Sequence, residues 1–208
     1  MKKKYIIALF IFFLIVIIFV QIAYKLSNSG NNISKSDDSD ILSIKSYEAV
    51  IEVEIYSNKN TNKYIINQKY HEPNIFKQEI LEPENIKGLT TTFDGENLII
   101  ENKALSLRKI YEKYNCIQGN LLSLICFVEE YKEADKKEET EKGEEKVIKI
   151  ELKNSTNKYE KYKILYINKE TNLPTKMEIL DINQNRTVYI LYKEIKINKI
   201  SKEEVLGN

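Results

Sequence analysis

The sequence predicts a mainly β, α+β domain: a single strongly curved antiparallel sheet, shaped as a half-barrel, with one or two helices on its concave face and one transmembrane helix before it. Three observations lead to this fold class. Apolar and polar residues alternate with a period of two through most of the body, turn residues interrupt the alternation at short intervals, and few segments follow a helical spacing instead. With 208 residues, of which 42% are hydrophobic, the chain can build one domain around its own core.

The N-terminal segment has the composition of a membrane anchor. Residues 1–4 carry three lysines, and residues 5–24 form an uncharged run interrupted only by Gln21. A helix of this length rises roughly 30 Å, which matches the hydrocarbon core of a bilayer. The run exceeds the roughly 7–15 apolar residues of a signal-peptide core, and it has no evident small-x-small cleavage site. We therefore expect an uncleaved signal anchor, with residues 1–4 in the cytoplasm and the rest of the chain outside the cell membrane.

The chain after the anchor divides into three parts. Residues 25–40 are rich in Ser, Asn and Asp and predict a flexible stalk. Residues 41–200 carry the alternating pattern of the β domain, and residues 201–208 form a tail. Residues 38–45 predict a short helix that leads into the first strand. Within the domain, residues 132–146 mix Glu, Lys and Asp with a single Gly, which predicts a solvated, mobile loop.

The first strand of the body has the clearest pattern. Between residues 47 and 55 every odd position is apolar, whereas Glu48, Glu52 and Glu54 occupy even positions. This alternation indicates a half-buried strand with one core face and one solvent face. Three glutamates on one face could hold a cation, but a solvated face is the simpler interpretation in a chain with 31 acidic residues.

Turn residues mark where other strands end. Pro73 and Pro83 cannot donate a backbone hydrogen bond to a sheet, so each is predicted to end a strand. Asp94 and Gly95, between alternating residues, predict a hairpin. Alternation resumes in the C-terminal third, so that the whole body holds eight to ten strands. The apolar positions of that third are Ile148, Ile150 and Leu152, then Tyr162, Ile164 and Tyr166, then Met177 and Ile179, and finally Val188, Ile190 and Tyr192 with Ile195 and Ile197.

One segment predicts an amphipathic helix. Leu121, Leu124, Ile125 and Val128 follow the spacing i, i+3, i+4 and i+7, behind Asn120 as the N-cap. The apolar stripe needs a surface to cover, and one face of the sheet can supply it. The stripe either packs as a fixed part of the core or forms a movable lid over a hydrophobic hollow in the sheet. Periodicity leaves both interpretations open.

The composition excludes several classes of function. The 32 basic residues against 31 acidic ones leave no surplus for binding a nucleic-acid backbone. The sequence contains no glycine-rich phosphate loop and no nucleophile or zinc-protease motif. One histidine and two cysteines exclude most metal sites that use those ligands. His71 is better interpreted as an exposed strand residue than as a general base. We therefore predict no enzyme, no cofactor and no metal.

The two cysteines allow two interpretations. Cys116 and Cys126 are ten residues apart, and both would lie outside the membrane, so they could form a disulfide after export. A buried, unpaired cysteine in the amphipathic helix is an equally ordinary state for Cys126.

The order of elements resembles the LolA/LolB-like lipoprotein-carrier fold, which is also found in RseB-type periplasmic regulators. A narrower resemblance joins residues 119–124, Phe127, Tyr131 and the Lys-, Ile- and Asn-rich composition to the clostridial GerS spore-germination lipoproteins. The segments that carry the wider resemblance are Ser46-Tyr47-Glu48-Ala49, Gln68-Lys69-Tyr70 with Pro73, Phe76-Lys77-Gln78-Glu79, Phe93-Asp94-Gly95, and Tyr166 to Met177 with its Leu173-Pro174 step, followed by Asp181 and Tyr192-Lys193-Glu194-Ile195.

The GerS resemblance implies a non-catalytic partner of a cell-wall amidase, or of another envelope protein, in modification of the spore cortex and in germination. It also implies a location at the cell membrane or the forespore envelope. The chain departs from that family because no lipid-modifiable cysteine follows the apolar run; the first cysteine is Cys116. Membrane attachment would then depend on the helix at residues 5–24. The wider resemblance implies an alternative, a carrier or sensor of a lipid or lipoprotein acyl chain, and a homo-oligomer stays open.

Overall fold

One large antiparallel sheet forms the body of the protein. The computed structural model describes residues 41–114, 122–153 and 157–207, which belong to one compact unit, Asp38–Asn208. Within these residues eleven strands pair in the order β6-β5-β4-β3-β2-β1-β11-β10-β9-β8-β7. The strands are β1 (Ser46–Tyr56), β2 (Thr61–His71), β3 (Ile75–Glu82), β4 (Thr90–Phe93), β5 (Leu98–Asn102), β6 (Leu107–Tyr111), β7 (Lys136–Lys142), β8 (Glu145–Glu151), β9 (Tyr162–Asn168), β10 (Pro174–Leu180) and β11 (Arg186–Ile197).

The sheet is built from two meanders joined along its centre. Strands that are neighbours in sequence pair antiparallel, apart from β6 and β7. In addition, β1 pairs with β11, from Tyr47 opposite Ile197 to Ile55 opposite Val188. The outermost strands, β6 and β7, do not pair with each other in the part of the chain that the structure describes. The sheet is therefore open, with one meander of short strands on each side of the β1–β11 pair.

The alternation predicted for the first strand is confirmed. Tyr47, Ala49, Ile51 and Val53 are almost completely buried in β1. The glutamates of the same strand lie on the opposite face. Pairing with β2 and β11 places further apolar side chains beside the buried row, so the inner face of the sheet forms the core.

The predicted turns are also confirmed. Pro83 directly follows the last residue of β3, and Pro73 follows the end of β2 with one residue between. The β4–β5 hairpin turns at Asp94 and Gly95, and Gly95 has a φ of +105° that favours glycine. The Asp94 carboxylate accepts hydrogen bonds from the backbone N–H groups of Glu96 and Asn97 and so orders the turn.

Helix α1, Leu124–Glu133, packs against the inner face and confirms the predicted amphipathic segment. Leu124, Phe127 and Val128 are fully buried there. The prediction of Asn120 as the N-cap is wrong, because the helix begins later and its N-cap is Ser123. Ser123 has the extended backbone that is usual for an N-cap, and its hydroxyl lies 3.0 Å from the Tyr47 hydroxyl on β1.

Residues 132–146 do not form the predicted mobile loop. They hold the end of α1, strand β7 and the turn into β8, with Gly143 at a φ of +59° in that turn. All side chains of β7 are exposed, so the expected solvation is observed, but opposite charges pair across the hairpin. Lys136 contacts Glu151 at 2.7 Å, and Lys146 contacts Glu139 at 2.8 Å. This strand raises the count to eleven, above the eight to ten predicted.

The C-terminal tail is likewise part of the domain rather than an appendage after residue 200. Helix α2, Lys202–Leu206, has a capping box between Ser201 and Glu204, and its Val205 is fully buried. The helix contacts β2 and β3. Of the predicted helix at residues 38–45, the described part is a 3-10 turn, Ile41–Ser43.

No helix among residues 41–114, 122–153 and 157–207 is long and apolar enough to cross a membrane. The anchor expected at residues 5–24 and the stalk at residues 25–40 lie outside the described residues. Both stay predictions.

Candidate functional site

An apolar cavity of about 220 Å³ lies beside the inner face of β1, β2, β3 and β4. Its walls are mainly aliphatic and aromatic side chains of these strands, and Leu122, just before α1, also lines it. Among the lining residues are Ile55, Tyr64, Ile66, Gln78, Ile80 and Leu122. A concave apolar surface of this kind is what the hypothesis of a hydrophobic hollow requires.

Polar groups at the cavity are few. The Gln78 amide nitrogen is buried without a hydrogen-bond partner among the described residues, so it could donate to an acceptor inside the cavity. Gln68, on the neighbouring strand, donates to the Leu122 carbonyl at 3.3 Å. Tyr47 contacts Gln68 and Ser123 through its hydroxyl, and burial raises the pKa of Tyr47 to about 12. Residues 122–123, beside the cavity, are therefore tied to the sheet by neutral hydrogen bonds.

The residues predicted as a lid or core stripe do not line this cavity. Leu124 and Val128 lie in the fully buried core, and Ile125 packs against that core while partly exposed. Leu121 lies outside the described residues. The lining residue from this part of the chain is Leu122, which the helical spacing did not single out. This placement favours the core role of the stripe, and movement of α1 stays a prediction.

A buried ion-pair network joins α1 to β9. Lys163 is 0% exposed, and its ammonium nitrogen lies 2.6 Å from Glu130 Oε2 and 3.2 Å from Glu160 Oε1. Burial works to lower the pKa of Lys163, but the negative groups around it outweigh burial and hold that pKa above its ordinary value. A charge buried without partners would cost several kcal/mol, so the two glutamates are required for Lys163 to occupy this position.

The network explains why the buried face of β9 is not the one that the sequence pattern predicts. The sequence pattern emphasises Tyr162, Ile164 and Tyr166, yet the core side of the strand carries Lys163, Leu165 and Ile167. Both sets of alternate positions on β9 are largely apolar. Because one set contains a lysine, the sequence favours the other set as the buried one. The sequence pattern does not show that Lys163 pairs with two glutamates, and this pairing is what allows a lysine on the core side.

Cys126 lies beside the same network. Its sulfur is 3.4 Å from Glu130 Oε1 and 3.8 Å from the Lys163 nitrogen, and burial raises the pKa of the thiol to about 12. At neutral pH Cys126 is therefore a thiol rather than a reactive thiolate. Cys116 lies outside the described residues, so the disulfide with Cys126 stays a prediction.

The three glutamates of β1 face lysines on neighbouring strands. Glu48 pairs with Lys69 at 3.1 Å, Glu52 pairs with Lys193 at 2.9 Å, and Glu54 pairs with Lys63. In the described part of the chain no group of three His, Cys, Asp or Glu side chains is arranged to hold a metal ion. The geometry favours a solvated, ion-paired face over a cation site.

Exposed apolar side chains concentrate at one edge of the sheet. They lie in the β5–β6 turn, on β6 and just after it, and we call them the β6 edge surface: Leu105, Leu107, Ile110, Tyr111 and Tyr114. Leu105 is 64% exposed and Ile110 is 47% exposed. The opposite edge strand, β7, has the sequence Lys-Lys-Glu-Glu-Thr-Glu-Lys and exposes no large apolar side chain. The two edges thus differ in chemistry.

An ordered turn holds Leu105 outward. Asn102 is buried, donates from its side chain to the Lys87 carbonyl at 3.1 Å, and accepts from the Leu105 N–H at 3.1 Å. After β6, the Tyr114 N–H donates to the Glu96 carbonyl at 2.8 Å. Exposure of this apolar surface is therefore a property of a hydrogen-bonded hairpin. This hairpin was not predicted from the sequence, because its Lys, Ile and Tyr residues resemble the composition of the whole chain.

Comparison with known proteins gives a family and a fold. Residues 2–206 match the protein family described as "Sporulation protein YdcC-like". No relative among curated proteins matches the sequence.

Three solved structures illustrate the fold. An uncharacterized conserved protein from Thermus thermophilus is 13% identical, with 82% of this chain and 89% of that chain covered and a TM-score of 0.52. A chain in the structure of the CwlD amidase from Clostridioides difficile in complex with the GerS lipoprotein is 23% identical, with 74% and 87% covered and a TM-score of 0.50. A LolA superfamily protein from Nitrosomonas europaea is 10% identical, with 81% and 95% covered and a TM-score of 0.41. The first two similarities support the fold.

Proposed function

Because the chain belongs to the family of YdcC-like sporulation proteins, we propose that it is a non-catalytic binding protein that docks an envelope protein, with a cell-wall amidase as the first candidate. In Clostridioides difficile the CwlD amidase forms a complex with the GerS lipoprotein, and the proposal extends that type of association to this chain. The domain would act on the outer side of the membrane, held there by the anchor expected at residues 5–24.

The β6 edge surface is the observation that carries the proposal. It collects most of the exposed large apolar side chains of the described residues in one hairpin, and aromatic and aliphatic groups of this kind form the centre of protein interfaces. The remaining polar clusters are already used inside the fold: Lys163 holds α1, and the glutamates of β1 pair with lysines. Exposed apolar side chains gathered at one sheet edge among charged residues mark a candidate docking site.

Reconstitution with purified proteins tests this function. The full chain, solubilised in detergent and tagged at its C-terminus, is mixed with each cell-wall amidase of the same organism, and the mass of any complex is measured by light scattering after gel filtration. We expect a stoichiometric complex with one of them. A Leu105→Ser, Ile110→Ser variant should weaken it, whereas Glu138→Ser, Glu141→Ser on β7 should not. If no envelope amidase forms a complex at micromolar concentrations, the amidase proposal is wrong.

The apolar cavity supports a second candidate, a carrier or sensor of an acyl chain. Gln78 would donate to the ligand carbonyl while the aliphatic walls hold the chain. At about 220 Å³, the cavity is smaller than the roughly 300–1,000 Å³ typical of ligand sites, so the protein-docking function is preferred. Native mass spectrometry of the purified chain would detect a co-purified lipid. Absence of such a mass, together with no uptake of a fluorescent fatty acid, would eliminate this candidate.

A further inference from the structure

In the described part of the chain, the backbone of β6 is paired on one side. The strand pairs with β5 from Leu98 opposite Tyr111 to Asn102 opposite Leu107. No other strand among residues 41–114, 122–153 and 157–207 pairs with its second side. The N–H and C=O groups that point away from β5 can therefore receive a further strand about 4.8 Å away.

Side chains on both faces of β6 would be covered by such a strand. Leu107 and Tyr111 point to the face that carries the core, as their pairing with β5 shows, and Ile110 points to the other face. A helix or a flat surface docking on one face would leave the other apolar group exposed. A strand added at the edge contacts side chains on both faces at once.

The opposite edge shows how the same sheet prevents pairing. Lys137, Glu139 and Glu141 of β7 lie on the core-facing side, opposite or next to residues such as Ile150 and Ile148 of β8. Inward-pointing charges are a common means of keeping sheet edges from associating. On β6 the core-facing positions at the two ends, Leu107 and Tyr111, are apolar, and a single charge, Lys109, lies between them.

Charge defines the chemistry of the added strand. Between residues 103 and 114 the chain has four basic residues, Lys103, Arg108, Lys109 and Lys113, against the single acidic residue Glu112. The Nε atom of Arg108 lies 3.8 Å from Glu101 Oε2, which is a long ion pair, and the Arg108 side chain is largely exposed. An approaching strand therefore meets a basic, apolar edge.

We propose that the docked partner adds an extended segment with alternating apolar and acidic residues to β6, as an extra antiparallel or parallel strand. This inference rests on the proposed docking function and specifies how it operates. Two other occupants fit less well. If a second copy paired antiparallel with β6 around a two-fold axis at Lys109, the two Lys109 side chains would lie opposite each other. Like charges directly opposite destabilise a strand pair. A lipid surface would leave the open backbone groups of β6 without partners.

Two measurements on the full chain with its identified amidase test the inference. Hydrogen exchange of β6 amides should slow on complex formation, while β7 amides stay unchanged. The variant Leu107→Lys, Ile110→Lys, which gives β6 the charged character of β7, should bind at least about tenfold more weakly. The matched variant Glu138→Lys, Thr140→Lys on β7 should bind as the native chain does. A complex with unchanged β6 exchange and an unaffected β6 variant would overturn the strand addition and leave the docking function intact.

A peptide assay tests the strand addition even if no amidase binds. An eight-residue peptide of alternating Glu and Val should bind the full chain at least about tenfold more tightly than the matched Lys and Val peptide, and the Arg108→Glu, Lys109→Glu variant should reverse this order. Equal binding of both peptides would overturn the proposal. So would a dimer that the β6 variant abolishes, or β6-dependent binding of the chain to vesicles of phosphatidylglycerol and phosphatidylethanolamine.

Discussion

At the scale of single residues, Lys163 is the clearest case of a side chain whose position depends on its partners. It occupies a core position between apolar strands and is held there by glutamates from α1 and from the segment just before β9. No pattern of one residue type could predict this, since Lys163 and Glu130 lie 33 residues apart on different elements. Lys163 thus links α1 to β9.

The ion pairs of Lys163 lead to a prediction about stability. Replacing both glutamates, Glu130→Gln with Glu160→Gln, leaves the buried ammonium group without a counter-charge and should lower the free energy of unfolding by about 3 kcal/mol. Adding Lys163→Met to that pair removes the charge, so the triple variant should recover most of the loss. Urea unfolding followed by circular dichroism measures both. A triple variant as unstable as the double variant would contradict this account.

Two turn aspartates predict a pH dependence. Hydrogen bonds from Asn97 to Asp94, and from Asn185 to Asp181, lower the pKa of each carboxyl in the folded protein. A folded-state pKa below the unfolded value of about 3.9 adds stability above that value, and the stability is lost as the pH falls toward the folded-state pKa. The variant Asp94→Asn, Asp181→Asn should therefore lose less stability than the native chain between about pH 5 and pH 3. Thermal unfolding at a series of pH values checks this, and parallel curves would refute it.

At the scale of elements, a strand could be predicted from the sequence where its buried and exposed faces differ clearly in polarity. The β1 strand was predictable because one face is apolar and the other carries glutamates. The β7 strand was not, because a fully charged segment has no apolar alternation, and its strand form depends on pairing with β8. The lining of the cavity was not predictable from the pattern, since Leu122 and Gln78 come together from separate elements.

Helix α1 provides a test between core and lid. Leu124 is fully buried, so Leu124→Ala should destabilise the whole domain by about 3 kcal/mol, and the amides of α1 should exchange as slowly as those of β1. The exposed residue Glu133 supplies a control, because Glu133→Ala should change the free energy of unfolding by less than about 0.5 kcal/mol. A lid would behave otherwise: α1 amides would exchange much faster than the sheet, with little global effect of Leu124→Ala.

At the scale of the whole molecule, the central pairing of β1 with β11 joins the two ends of the domain. Periodicity shows which side of a strand faces the core, but it contains no information on which strands are neighbours. The register is further displaced by a bulge between Val50 and Ile51, which makes Lys193 the extra residue on β11 and places it near Glu52. The mainly β class with one large antiparallel sheet was therefore predictable from the sequence, whereas the strand order had to come from the structure.

The last prediction concerns attachment to the membrane, since the proposed function requires the domain on the outer side. Residues 5–24 contain fifteen Leu, Ile, Phe and Val residues, each of which favours insertion by roughly 0.3–0.6 kcal/mol near the helix centre. Two central aspartates, Ile15→Asp with Val16→Asp, should cost roughly 5–7 kcal/mol and release or mislocalise the protein, whereas Ile15→Val with Val16→Ile should leave it in the membrane fraction. Cell fractionation and N-terminal sequencing measure the outcome. A soluble mature protein that starts near Lys25 would show that residues 5–24 are a cleaved signal, and a partner would then have to be met by a diffusing domain rather than a tethered one.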